Sequence, residues 1–396
     1  MTDTLSRTVS SSRDAPERVQ EIDAVRGFAL FGILVVNAQL ISGAYFLGHT
    51  DVSGVSTDWV VTGLVDVVAE MKFYLLFSFV FGYSVALQLR LPVPAGSSFT
   101  ARYARRLLAL FVLGACHALF LFSGDILTAY AVLGFALYFV RGLPPRTLVR
   151  IGAVTLVLFC AFLTAVGVFA IVSLPYTAVD ANAVTAAFAD TSSLYRGSAA
   201  DALHARAATL GAAAGGNIVF APHIFAAMVF GLAAGKTRLL QRGTHRPDRL
   251  RRVALYGLLI GVPGSVFMTA CGNGPLGREW LYLGKAMGSV TAPALTASYV
   301  CLLLLLWRTG RFERIRVALA AAGRMSLTNY LAQSLVLTMV FTGYGLGLYG
   351  RVHVAVLMPG CAGLYGVQVW VSARVMSRYG HGPVERLVHR VAAARR

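Results

Sequence analysis

Glu21-Ile-Asp-Ala-Val-Arg-Gly-Phe-Ala-Leu-Phe-Gly-Ile-Leu-Val-Val-Asn37 is the stretch whose reading decides the fold class. Its charges end at Arg26, and over 27–47 only Asn37, Gln39, Ser42 and the Tyr45 hydroxyl interrupt an apolar run. About 20 such residues suffice to cross a bilayer as a helix. No small-residue cleavage site follows, so the segment reads as an uncleaved signal anchor. The Ser-, Thr- and Arg-rich residues 1–20 before it read as a disordered cytoplasmic tail.

The same alternation of apolar run and arginine recurs to the end of the chain. Further spans are expected at 59–89, 107–122, 126–140, 151–174, 218–235, 253–271, 286–307, 319–344 and 354–375. Composition agrees: 57% of residues are hydrophobic and 13% charged, against roughly 25% charged in soluble domains. The formal charge of +18 invites a nucleic-acid reading, but its distribution argues against one. Of the 35 Lys and Arg, all but Lys72, Arg196, Arg206, Arg278, Lys285 and Arg351 fall in the segments this topology places inside. That is the positive-inside bias of a membrane protein.

The expected fold is therefore all-α: a polytopic membrane bundle of about ten transmembrane helices over 21–378, with both termini cytoplasmic. A basic tail follows at 379–396. The connection at 175–216 is too long for an unstructured loop and is expected to carry an external amphipathic helix over a site. The lipid bilayer is the expected partner. A homo-oligomer is compatible with the sequence. Cys116, Cys160, Cys271, Cys301 and Cys361 are scattered singly, and no metal-ligand spacing occurs. Gly231-Leu-Ala-Ala-Gly-Lys-Thr237 is one residue short of a phosphate-binding loop and ends a span, which fits G-x-x-x-G helix packing better.

A polar side chain inside a span costs roughly 2.5 to 3.5 kcal/mol on insertion scales if ionised, so the few present mark candidate sites. Asn37, eleven residues past Arg26, lies about 16 Å deep, near the bilayer centre. His117 lies two helical turns before the tight outer turn Ser123-Gly124-Asp125, about 10 Å below it on the same helix face. A carboxylate beside a histidine fixes its tautomer and raises its basicity, as a general base requires. Asp125 equally fits an ordinary helix N-cap, and His117 an interhelical hydrogen bond. Lys72 and Glu70, which also suit an outer ion pair with Asp66, and Tyr130 are candidate acceptor-side groups. At the inner mouth, Arg26, Arg105, Arg106, Arg324, Asn329 and Gln333 are candidates to hold the phosphates of a cofactor. Taken singly, each arginine is equally explained as a topology marker. His223 reads as a helix-packing residue.

The motif at 21–37 strongly resembles the start of the YeiB family of bacterial inner-membrane proteins. Lys72-Phe-Tyr-Leu-Leu-Phe-Ser-Phe-Val-Phe-Gly82, Arg105-Arg-Leu-Leu, Gly114-Ala-Cys-His117 and Gly124-Asp-Ile-Leu-Thr-Ala-Tyr130 resemble it too. So do Gly323-Arg-Met-Ser-Leu-Thr-Asn-Tyr-Leu-Ala-Gln-Ser334 and Gly382-Pro-Val-Glu385. The likeness covers 21–390 and is weakest at 175–216. That family is similar in turn to transmembrane acyltransferases that include heparan-alpha-glucosaminide N-acetyltransferase. This resemblance implies an active-site Asn at Asn37 and a His shortly beyond it; His49, one residue further along than that pattern, is the candidate. It also implies an acetyl or other acyl group carried from cytoplasmic acyl-CoA to a small-molecule or glycan hydroxyl or amine reached from outside. The alternative is a transporter or exporter of a small metabolite along the same polar path.

Overall fold

The opening stretch forms α1 (Gln20–Ser42), and the chain then builds an all-helical bundle around it. The computed structural model describes residues 20–46, 56–90, 98–173, 181–240, 246–274 and 276–393, and no strand occurs among them. The expected tail at 1–20 lies outside the described residues except for Gln20, as does His49. Most of α1 is buried, so it runs up the middle of the molecule.

The single helix expected over 59–89 is two: α2 (Thr57–Val68) and α3 (Lys72–Gln88). Met71 between them has φ 67°, a left-handed conformation that breaks the helix and that a non-glycine residue adopts only when packing demands it. Lys72, fully buried, donates from Nζ to the Asp66 carbonyl at 2.9 Å across this break, satisfying an oxygen the helix end exposes. Next come α4 (Phe99–Phe120), α5 (Leu127–Val140) and α6 (Pro145–Ser173).

The connection at 175–216, expected to carry an external helix, is helical over its described residues except Gly197 and Ser198, as α7 (Ala181–Arg196) and the first half of α8 (Ala199–Lys236). Ser198 and Asp201 form a reciprocal capping box that starts α8, and the helix then continues unbroken through the span expected at 218–235. In its lower half α8 crosses α3 closely: a Cβ on Gly82 would overlap the Met228 carbonyl, and one on Gly231 the Phe79 carbonyl. The Gly231–Lys236 segment is thus helix-packing surface, as its spacing suggested.

The remaining helices are α9 (Pro247–Asn273), α10 (Leu281–Arg308), α11 (Glu313–Arg324), α12 (Ser326–Phe341), α13 (Val354–Tyr379) and α14 (Pro383–Ala393). The span expected over 319–344 is also broken, at Met325 between α11 and α12. The expected basic tail at 379–396 is largely α14. Its Glu385 accepts hydrogen bonds from the Leu327 and Thr328 amides at 2.8 and 3.0 Å and from the Thr328 hydroxyl at 2.6 Å, so it caps α12 from another element.

Among the described residues seven helices are long and apolar enough to cross a membrane: α1, α4, α6, α8, α9, α10 and α13. The chain is a multi-pass membrane protein. Large side chains such as Leu158, Phe169, Leu259 and Val367 stand exposed on these helices, as lipid-facing surface requires. One end of the bundle is basic: Arg90 reaches the Gly235 and Lys236 carbonyls there, and Lys236 reaches the Leu143 carbonyl. The opposite end carries the α4–α5 turn, α7 and the start of α8.

Candidate functional site

At the end opposite the basic one, the helices enclose a cavity of about 570 Å³. Its wall is built from the upper half of α1 (Ile33, Asn37, Leu40), the α2–α3 break (Glu70, Met71, Tyr74) and the α4–α5 turn (Leu121 to Gly124). The cap formed by α7 and α8 contributes Tyr195, Arg206, Thr209 and Asn217, and α10 contributes Lys285. The connection at 175–216 therefore contributes to the wall of this cavity. Asn37 presents its amide to this space without a hydrogen bond to another described side chain or backbone group.

Lys285 and Glu70 form an ion pair on the cavity wall. Glu70 is therefore engaged by Lys285, while Lys72 is turned away toward the helix break. Arg206 is buried, donates to the Tyr344 hydroxyl at 3.0 Å and lies 5.8 and 5.9 Å from the Tyr195 and Tyr344 ring centres. These ring faces offset part of the cost of burying a guanidinium. Burial pushes the Tyr195 phenol above its ordinary value despite the pull of Arg206, and burial raises Tyr349 likewise. Both remain neutral at physiological pH.

Behind the cavity wall lies a chain of buried polar groups from three helices. His117, on the last full turn of α4, has Nδ1 2.9 Å from Asp125 Oδ1, without the alignment of a good hydrogen bond. Their side chains are 0% and 2% exposed, so the pair is sealed from solvent. Asp125 Oδ2 accepts from the Thr128 amide and the Thr128 hydroxyl, both at 2.8 Å. One carboxylate oxygen thus caps the start of α5, as the N-cap reading expects, while the other faces His117. The Asp125 carbonyl is held by Asn217 Nδ2 at 2.9 Å, which ties this corner to α8.

On its other side His117 Nε2 lies 2.8 Å from Ser334 Oγ, a residue of α12. Tyr330, one turn earlier on α12, packs its ring 4.9 Å from the imidazole. Phe122 meets the imidazole edge-on at 6.4 Å and lines the cavity, so one aromatic ring separates the histidine from that space. Tyr130 is not at the cavity: its hydroxyl is 2.7 Å from Ser78 Oγ and donates to the Tyr74 carbonyl at 3.1 Å. The Tyr74 hydroxyl in turn lies 2.7 Å from His223 Nδ1.

At the basic end, Arg26 donates to Asp23 at 2.8 Å and to Ser84 Oγ at 2.6 Å, and Arg106 to Gln88 Oε1 at 2.6 Å. Gln88 and Ser84 lie one turn apart on α3, so Arg26 and Arg106 meet at one point. Arg324 donates to the Gly380 carbonyl at 2.9 Å, and Arg105 Nε is buried with no hydrogen-bond partner in the structure. Asn329 and Gln333 bond Ser372 and Gln368 of α13 at 3.0 and 2.8 Å and hold two helices together. The cavity's Arg206, Lys285 and Asn217, and Ser334 beyond its wall, were not singled out from the sequence. Arg206 and Lys285 are among the few basic residues that depart from the positive-inside pattern, and that departure was the available signal.

Fold and site together define a multi-pass helical membrane protein with a capped cavity at one end and a sealed His–Asp–Ser chain beside it. A model of the family described as "Protein of unknown function (DUF418)" matches residues 234–395. The chain is 31% identical over 402 residues to "Uncharacterized protein YxaH" of Bacillus subtilis (strain 168), covering 93% of this chain and 92% of that protein. It is 27% identical over 382 residues to "Uncharacterized 39.9 kDa protein in amylase 3'region" of Bacillus acidopullulyticus, covering 93% and 92%. It is also 27% identical over 393 residues to "Uncharacterized protein YeiB" of Escherichia coli (strain K12), covering 93% and 94%. The chain belongs to this YeiB-like family.

Proposed function

We propose that this protein is an acyltransferase of the bacterial inner membrane, passing an acyl group, in the first instance acetyl, from cytoplasmic acyl-CoA to a hydroxyl or amine on an acceptor that enters the cavity from outside. In this reading the basic end faces the cytosol, as the positive-inside rule requires. The helices α3, α5 and α12 then add three shorter crossings to the seven long ones, making ten, and both termini are cytoplasmic. Arg26 and Arg106 offer guanidinium forks to the phosphates of coenzyme A.

The observation that carries the reading is the His117–Asp125 pair one ring away from a cavity into which Asn37 presents an amide with no hydrogen bond. A histidine beside a carboxylate serves as general base for the acceptor, and an amide donor held in a water-poor site stabilises the developing oxyanion. Little else in the wall can move a proton, since Lys285 and Glu70 are committed to each other.

The test is transfer of labelled acetyl from acetyl-CoA by the purified protein in nanodiscs, with a pool of sugar and amine acceptors. Wild type should turn over, and His117→Ala should lose about 10²- to 10⁴-fold while coenzyme A still raises its melting temperature. Asn37→Ala should lose about 10²- to 10³-fold in kcat, the usual cost of one oxyanion donor. A wild-type protein that transfers no acetyl, and whose melting is unmoved by coenzyme A, would sink the reading in favour of a metabolite transporter.

A further inference from the structure

We infer that Ser334 is a nucleophile that carries the acyl group covalently between donor and acceptor. The assignment of its acyl donor rests on the acyltransferase reading above; the activation of the hydroxyl does not. Ser334 Oγ lies 2.8 Å from His117 Nε2, and on the other side of the ring Nδ1 lies 2.9 Å from Asp125 Oδ1, close enough for the carboxylate to act on the imidazole though not aligned as a hydrogen bond. With the Nδ1 proton turned toward the carboxylate, Nε2 is the acceptor and the Ser334 hydroxyl is the donor. This is the order of groups that makes a serine nucleophilic, and such a set is recognised by geometry and not by chain order.

The three residues come from α4, the α4–α5 turn and α12, with Ser334 217 positions from His117, so no local helix geometry brings Ser334 to the pair. Two of the three members are held by further partners. Asp125 is fixed by Thr128 and, through its carbonyl, by Asn217. His117 is fixed by the Tyr330 ring. A purely structural role for His117 would be met by the Ser334 hydrogen bond alone; the structure also sets the Asp125 carboxylate beside the opposite nitrogen.

Position fits a relay. Ser334 is eight residues into α12, about 12 Å from the basic end of that helix. On its far side Thr338 reaches the Leu121 carbonyl at 3.2 Å, at the cavity wall. The serine thus stands between the two ends, with Phe122 closing the cavity side.

In the first half-reaction, Ser334 Oγ attacks the thioester carbonyl carbon as its proton passes to His117 Nε2. The tetrahedral intermediate collapses, the C–S bond breaks, and the coenzyme A thiolate takes the proton from Nε2. In the second half-reaction the acceptor oxygen or nitrogen attacks the seryl ester, its proton passes to Nε2, and the C–O bond breaks. Ser334 Oγ then recovers that proton, and the protein is unchanged.

The experiment has two arms on full-length protein in nanodiscs. In the first, labelled acetyl-CoA without acceptor should leave label on the peptide containing Ser334. Ser334→Ala should lose both the label and at least 100-fold of transfer, and Ser334→Cys should carry the label as a hydroxylamine-labile thioester. In the second, a small alkyl fluorophosphonate, which marks activated serines with no need of coenzyme A, should label Ser334 in the wild type but not in His117→Ala. Melting curves confirm that each variant is folded, and the Cys variant keeps the side-chain volume. Transfer retained within a few-fold in Ser334→Ala, with no bound label in wild type, overturns the relay and leaves the acyltransferase reading standing. Fluorophosphonate labelling of Ser334 without acetyl transfer supports the nucleophile and overturns acyl-CoA as its donor. Neither label nor transfer overturns both.

Discussion

Asp125 divides its two carboxylate oxygens between two neighbours: one caps α5 through Thr128, the other faces His117. Asparagine at this position still offers one oxygen to the cap but brings no negative charge to the imidazole. Asp125→Asn should therefore reduce acetyl transfer by at least about 10²-fold, as loss of a base's orienting carboxylate does. Its melting temperature should stay close to wild type, whereas Asp125→Ala should lower it by removing the cap. Activity and thermal denaturation measured on the same preparations separate the two roles. His117 and Asp125 were legible in sequence because eight residues and one tight turn place them near each other whatever the rest of the fold does. Ser334 was not, because only the packing of α12 against α4 brings it to Nε2. Tyr130 and Lys72 show the converse: unusual residues in apolar helices, yet spent on Ser78, on the Tyr74 carbonyl and on the Asp66 carbonyl.

At the scale of elements, hydropathy showed where apolar helices lie but not where they break. The breaks at Met71 and Met325 fall beside charged residues, Glu70 and Lys72 in one case and Arg324 in the other, with no proline or glycine at the break itself to announce them. The first is stabilised locally, by the buried Lys72 reaching the end of α2, and the second from a distance, the start of α12 being capped by Glu385 of the terminal helix. Glu385 sits 57 and 58 residues from the amides it caps, so the role of the Gly382-Pro-Val-Glu385 motif could not be read from local sequence. Glu385→Ala should cost about 1 kcal/mol, the usual value of a helix cap. A lowered melting temperature in detergent, with Glu385→Gln intermediate, would show it. Equal melting of all three proteins would mean that α14 docks for other reasons.

Across the whole molecule, the charge pattern was the most legible feature. It reads as alternate helix ends held in the cytosol, and the clustering of Arg26, Arg90, Arg106 and Lys236 at one end of the bundle agrees with it. A phosphatase reporter that matures only outside the cytosol should be active when fused after Asp125 and inactive when fused after Arg90. The reverse result would invert donor and acceptor sides and remove the proposed route. The roof of the cavity was less legible, because an Ala- and Gly-rich segment offers no clear polar or apolar face.

That roof has a mechanical consequence. Helix α8 runs unbroken for 38 residues, about 57 Å, nearly twice the thickness of the hydrocarbon core. Its lower end is wedged glycine to carbonyl against α3, and its upper end supplies Arg206, Thr209 and Asn217 to the ceiling of the chamber. Any widening of the chamber on this side would turn α8 about a fulcrum that lies in the lipid. Pro222, which cannot donate the backbone hydrogen bond of its turn, is the one built-in elbow of that rod.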